Sequence, residues 1–197
     1  MKKQLCEMTN EELWQLFPII LKEHDPQWEQ RYRTQSAGIV KAVGKENAAR
    51  ISHIGSTAVP GLLAKPTIDI LLEVKEGCNT DKLKSALVSA GYIFTAQPGN
   101  PAPHMMFLKG YTPEGFAGQA FHVHVRYSGD WPELYFRDYL KEHKNAAEEY
   151  GALKRKLLEE YKHDRDGYTE AKTEFIEKYT AIAREEYGGR YEPVQKG

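Results

Sequence analysis

The chain has 197 residues, enough for one domain with a real core and too few for two large ones. Hydrophobic residues make up 41% and charged residues 28%, with 27 basic against 28 acidic side chains. That balance excludes a disordered chain and argues against a polycation that holds nucleic acid in bulk.

Cys6 and Cys78 are the two cysteines, with no CxxC and no Cys/His pair at metal spacing, so neither a disulfide framework nor a structural zinc site has support. The start, MKKQLCEMTNEEL, has no apolar signal region. No stretch reaches the roughly eighteen apolar residues that would span a bilayer. The expected location is the cytoplasm, with no membrane partner.

Asn10 is expected to cap a short helix over 11–17, since its side chain can accept from free first-turn amides and Glu11 and Glu12 suit the positive end. Pro18 stops it, and Ile19-Ile20-Leu21 reads as a short strand. Asp25-Pro26 then places a capping carboxylate before a first-turn proline and opens a helix that runs to about Val43, with Trp28, Tyr32, Ile39, Val40 and Val43 as its apolar positions.

Residues 51–54 read as the first core strand. Residues 67–74, bounded by Pro66 and Gly77, read as a second, central and buried strand. A helix over 81–90 follows, with Leu83, Ala86, Leu87 and Ala90 at helical spacing and Gly91 as its C-cap. Further strands are expected at 92–94, 105–108 and 121–126, joined by Gly/Pro-rich loops at 97–103 and 110–119.

Beyond Pro132 a stripe of Phe136, Tyr139, Leu140, His143, Ala147, Tyr150, Leu153, Leu157 and Tyr161 predicts one long helix. A second helix runs from about 169 to 187, before Gly188-Gly189. The two are expected to pack as a hairpin on the sheet. The whole reads as one domain over 1–190, with a core at about 19–130, helices at about 132–187 and a loose tail at 191–197. No repeat or low-complexity tract is present.

Glycine beside small hydroxyl residues at a strand end lets backbone amides and a serine oxygen approach a phosphate, and Gly55-Ser56-Thr57 has that composition. An ordinary turn has it too. Asp69 sits between Ile68 and Ile70, where an unpaired carboxylate would cost several kcal/mol, so it needs a partner. That partner is either a divalent cation such as Mg²⁺ or a structural one: Lys65, Arg126 or backbone amides.

A strand ending in Gly-Ser, then about a dozen residues, then a strand bearing an aspartate is the layout of the nucleotidyltransferase superfamily. His53-Ile-Gly-Ser-Thr-Ala-Val-Pro-Gly61, Lys65-Pro-Thr-Ile-Asp-Ile70, Asp25-Pro26-Gln-Trp28 and Leu134-Tyr-Phe-Arg-Asp-Tyr-Leu140 resemble the signature blocks of the GrpB-like family, which has that fold and also occurs appended to some dephospho-CoA kinases. The resemblance runs from about residue 18 to 185. It implies an α/β (α+β) fold with a mixed sheet, flanking helices and Asp69 on the second core strand.

Active nucleotidyltransferases generally carry two carboxylates two residues apart on that strand and a third from a later one, which together hold two metals. Here the position two after Asp69 is Leu71. Glu73 shares the parity of Asp69 but lies about 13 Å along the strand, too far for one compact centre.

His122, His124 and Arg126 alternate and so face one side. If their strand neighbours Asp69, two imidazoles stand where the carboxylates are missing, a ligand set suited to Mn²⁺, Fe²⁺ or Zn²⁺ more than to Mg²⁺. The plain alternative is a half-buried strand whose histidines meet solvent or their neighbours. His104 could line the same opening, and His53 reads as a core or rim histidine.

Three functional expectations follow. The first is a nucleotide or other phosphorylated small molecule bound with a divalent metal: Asp69, His122 and His124 as metal ligands, Asp69 and His124 as catalytic groups, and Gly55, Ser56, Thr57, Lys65, Arg126 and Arg137 on the substrate, with nucleotidyl transfer to an unknown acceptor as its enzymatic form. The second is a catalytically reduced phosphate-ligand-binding module linked to coenzyme metabolism, favoured by Leu71. The third is a metal-dependent hydrolase using the same Asp/His/His set. The C-terminal tyrosines read as packing, not as a nucleobase platform, and the oligomeric state is open.

Overall fold

A reciprocal cap starts the first helix, α1 (Asn10–Leu16). Thr9 Oγ1 accepts from the Glu12 amide at 3.3 Å and the Glu12 carboxylate accepts from the Thr9 amide at 2.9 Å. The cap is therefore Thr9 and not Asn10, because threonine with glutamate three residues on satisfies two orphan amides at once. This computed structural model describes residues 3–97, 99–100, 103–162 and 164–192. Residues 98, 101 and 102 of the expected loop at 97–103 lie outside them, as do 193–197 of the expected tail.

Residues 19–21 do not form the expected strand. Their neighbour Lys22 makes one bridge, exchanging backbone bonds with Ala64 at 2.8 and 2.9 Å. Asp25 Oδ1 accepts from the Gln27 amide at 2.9 Å and opens α2 (Gln27–Val43), which buries Trp28, Ile39 and Val43. β1 (Ala48–Ile54) begins earlier than expected, and a single 3-10 turn (Ser56–Ala58) follows it. β2 (Thr67–Val74) has the expected bounds. α3 (Thr80–Ser89) is capped by the Asn79 side chain.

β3 (Ile93–Thr95), β4 (Met105–Thr112) and β5 (Gly115–Tyr127) complete a five-stranded sheet in the order β1-β2-β5-β4-β3. β2 and β5 are parallel and the other pairs antiparallel. The loop expected at 110–119 is instead the turn and flanks of the β4–β5 hairpin. Its glycines misled because Gly110 sits at a register shift, at φ +86°, where an added Cβ would meet the Gln119 carbonyl at 2.5 Å. Glycine there permits strand pairing.

Among the described residues the two expected C-terminal helices are four: α4 (Pro132–Glu142), α5 (Lys144–Glu160), α6 (Arg165–Glu170) and α7 (Thr173–Tyr187). The apolar stripe continues across His143, but the backbone there leaves the helix (φ −115°, ψ 88°), with the ring stacked on Tyr139 and Nε2 3.0 Å from Glu186. Packing against α7 thus bends a stripe that alone reads as one helix. Tyr191 in the expected loose tail is docked, accepting from Arg137 Nη2 at 2.9 Å and donating to Asp138.

Side-chain alternation divides β2 between two environments. Ile68, Ile70, Leu72 and Val74 join Val123 and Val125 in the core beneath α2 and α3. Asp69, Leu71 and Glu73 point to the other face, where Leu71 packs with Ile54 and Leu134. The chain thereby brings Asp69 to the face that the C-terminal helices roof.

Candidate functional site

Parallel pairing sets Asp69 directly beside His122, with His124 two residues on along the same face of β5. Asp69 Oδ1 lies 3.3 Å from His122 Nδ1 and 3.5 Å from His124 Nε2. One donor atom from each of the three falls within 4.8 Å of the others, the one such cluster of His, Cys, Asp and Glu among the described residues. Donors about 2.0–2.1 Å from one tetrahedral ion stand roughly 3.3 Å apart, so the two carboxylate–imidazole separations fit a shared cation.

The electrostatics agree with ligand chemistry. Burial pushes the Asp69 carboxyl up, but hydrogen bonds from His122 and His124 outweigh it and hold the group well below the usual carboxylate range. Burial pushes the His122 imidazole down, towards the neutral form a metal needs. The Tyr111 hydroxyl sits 2.7 Å from His122 Nε2 and fixes the ring with Nδ1 towards Asp69.

The Gly55 turn is built around the carboxylate. Gly55 has φ +70° and ψ −176°, and an added Cβ would meet Asp69 Oδ2 at 2.6 Å. Past it, Gly55, Ser56, Thr57, Lys65, Asp69 and His122 wall a cavity of about 200 Å³. Thr57 lines it, yet its hydroxyl is engaged by Thr67 O at 3.2 Å and His53 Nε2 at 3.0 Å.

The roof of this cavity was missed in the sequence. Lys154 of α5 and Lys172, just before α7, enter it with Tyr150, Tyr168 and Thr169. Lys154 is 3% exposed and donates to Ser56 Oγ at 3.0 Å and to Leu63 O. Lys65 and Lys172 have no ion-pair partner among the described residues; their ammonium groups lie 5.7 and 4.4 Å from the Tyr168 ring centre.

Burial and mutual repulsion push these lysines down. Lys65 falls to about 8, chiefly by burial and then by the charge of Arg165. Lys172 falls to about 8 and Lys154 to about 7 by burial and then by their lysine neighbours. The hydroxyl of fully buried Tyr168 has no hydrogen-bond partner among the described residues. Three lysines thus gather around one carboxylate in the lining of this cavity. One signal was available: Lys154 follows Tyr150 by four residues and precedes Leu157 by three, a charge on the inward face of an amphipathic helix.

Arg126 and Arg137, expected on the substrate, do not reach this cavity. Arg126 Nη1 donates to Glu133 at 2.5 Å and its guanidinium covers Trp131. Arg137 bonds Asp138, Tyr191 and the His53 carbonyl. Each has a carboxylate of α4 as its partner, Glu133 for Arg126 and Asp138 for Arg137. His104 lines a separate small opening with His124 and Arg126. His53 is buried and stacked on Tyr32 at 4.7 Å.

Glu73 is fully buried and held by Arg50, with Nη2–Oε1 at 2.7 Å and a second contact through Nε, and by the Gly129 amide at 3.1 Å. It serves the fold and has no place in the Asp69 cluster.

A mixed sheet with a Gly-Ser turn after its first strand and an aspartate on its second defines a nucleotidyltransferase-like α/β protein. The family profile described as "GrpB protein" matches residues 18–181, and the chain belongs to the GrpB family. It is 36% identical over 174 residues to a UPF0157 protein of Pseudomonas aeruginosa, covering 88% of this chain and 70% of that one.

It is also 32% identical over 163 residues to the glutamate-rich protein GrpB of Alkalihalophilus pseudofirmus, covering 81% and 92%. A dephospho-CoA kinase of Mycolicibacterium paratuberculosis is 29% identical over 181 residues, covering 79% of this chain and 43% of the kinase. The crystal structure of GrpB from Enterococcus faecalis superposes with a TM-score of 0.75 at 31% identity, covering 85% of this chain and 99% of that chain. No helix among the described residues is long and apolar enough to cross a membrane.

Proposed function

We propose that this protein binds a phosphorylated small molecule, a nucleotide in the reading its fold favours, together with one divalent cation. The observation that carries this is the cavity in which Lys65, Lys154 and Lys172 face the single carboxylate Asp69. Uncompensated buried cations are costly, and a phosphate group of charge about −2 removes that cost. Asp69 and His122 from the wall of this cavity and His124 from the small opening beside it would hold the cation, a donor set that favours Mn²⁺, Zn²⁺ or Fe²⁺ over Mg²⁺. Bound there, it would neutralise phosphate charge as a Lewis acid.

Leu71 favours a binding module over a transferase. It is fully buried against Ile54 and Leu134, so the second carboxylate of a two-metal centre has no substitute at that position. The kinase-named relatives support a link to coenzyme metabolism.

The test is titration of the purified protein with ATP, GTP, CTP and UTP, each with Mg²⁺, Mn²⁺ or Zn²⁺, read by thermal stabilisation and pyrophosphate release. Stabilisation without release, weakened by Lys172→Gln and Asp69→Asn, is the expected outcome. Release abolished by Asp69→Asn would establish transfer instead. Affinities for metal and nucleotide that both variants leave unchanged would remove the site altogether.

A further inference from the structure

The lysine cavity has a larger neighbour of about 620 Å³, within the size range of small-molecule sites. It lies between residues 17–25, the start of β5 and Arg165 at the head of α6. Lys65 and Thr67 wall both cavities, so the lysine end of the smaller one lies directly beside the larger space.

That space is apolar where it opens. Ile20 and Phe116 line it and are 41% and 42% exposed, two of the four large hydrophobic side chains left at the surface of the described residues. Trp28 forms a buried wall. Part of the polar lining is matched within the protein: Arg31 Nη1 donates to Gln119 Oε1 at 2.7 Å, and Gln119 Nε2 donates to the Pro66 carbonyl at 2.7 Å, while Lys65 and Arg165 bring positive charge to the side nearest the smaller cavity. An apolar or aromatic body seated there would cover Ile20 and Phe116, which a compact polar molecule would leave exposed.

We propose that the larger cavity takes the body of the ligand whose phosphate the lysines hold, which makes that ligand an organic phosphate with an apolar or aromatic portion rather than inorganic phosphate or a small sugar phosphate. This rests on the phosphate reading above. Arg165, which also walls the larger cavity, supplies a further cation at the junction for a second phosphate or an ester oxygen.

The experiment compares, by calorimetry, pyrophosphate, ribose 5-phosphate, 1-naphthyl phosphate and the four nucleoside triphosphates on the wild-type chain and on Ile20→Asn, Phe116→Ser and Lys172→Gln. The expected result is that at least one aromatic phosphate binds roughly tenfold or more tighter than pyrophosphate and ribose 5-phosphate. Ile20→Asn and Phe116→Ser should cancel most of that advantage while leaving pyrophosphate affinity unchanged, and Lys172→Gln should weaken every probe.

Phe116 touches Phe17 and Tyr111, so Ile20→Asn, at a more isolated side chain, keeps the test decisive should Phe116→Ser unfold. Aromatic phosphates that bind no tighter than pyrophosphate, or variants that weaken all probes equally, would overturn the two-cavity inference and leave the phosphate reading standing. No binding of any probe would sink both.

Discussion

Gly55 and Asp69 are in contact across the β1–β2 edge: a methyl group at residue 55 would stand 2.6 Å from the Asp69 carboxylate. The turn also holds Gly55 at φ +70°. Gly55→Ala therefore combines backbone strain with displacement of a proposed metal ligand. It should cost about 1–3 kcal/mol in denaturant unfolding and lower Mn²⁺ affinity at least roughly tenfold. A variant as stable as the parent and equally avid for metal would show that the close approach has no role.

Tyr111 acts on the cluster through His122. Its hydroxyl is the partner of Nε2, and with that partner gone the imidazole is free to rotate away from Asp69. Tyr111→Phe should weaken Mn²⁺ or Zn²⁺ binding by about 10- to 100-fold, measured by calorimetric titration, while phosphate probes in the absence of metal keep their affinity. Loss of phosphate affinity alone would point to a packing role.

The residues that the sequence revealed and those it hid differ in how far their partners lie along the chain. β2 was legible because Pro66 and Gly77 bracket one apolar run, and the polar face of β5 because His122, His124 and Arg126 keep strand parity. That β2 and β5 pair in parallel, with Asp69 opposite His122, depends on β1 and the β4–β5 hairpin flanking them, which no local signal states.

Lys154 and Lys172 were hidden for the same reason at larger scale. They join Asp69 in one cavity from α5 and from the residue before α7, far along the chain, and in sequence they look like solvated charges beside packing tyrosines. The hairpin glycines carried a second ambiguity, since a bulge and a loop draw on the same residue.

Glu73 shares the strand face of Asp69 and offers a control for it. It is fully buried, and its carboxylate is matched by Arg50 and the Gly129 amide. Arg50→Ala strands a fully buried carboxylate and should cost about 3–5 kcal/mol in unfolding free energy, whereas Glu73→Gln leaves a guanidinium that is 31% exposed and still bonded to the Gly129 carbonyl and should cost less. Nucleotide and metal affinities of whatever protein remains folded should be unchanged. A selective loss of metal affinity in Glu73→Gln would bring that carboxylate into the site and reopen two-metal chemistry.

Anion binding should depend on pH through the lysines. Lys65, Lys154 and Lys172 face one another, Asp69, Arg155 and Arg165, and in the folded chain they hold their protons only up to about 7–8, against about 10.5 when unfolded. Between those limits the unfolded chain binds more protons, so the ligand-free protein gains stability as pH rises from about 7 towards 10. A bound phosphate reverses the sign by stabilising the ammonium forms and raising their pKa. ATP affinity should therefore fall as pH rises through 8 and 9, where the triphosphate is already fully ionised and its own charge is constant. Binding at pH 8 should also take up protons, seen as a buffer-dependent enthalpy. A flat affinity profile from pH 7.5 to 9.5 with no proton uptake would mean that the lysines do not touch the phosphate, and Lys172→Gln should flatten the profile if they do.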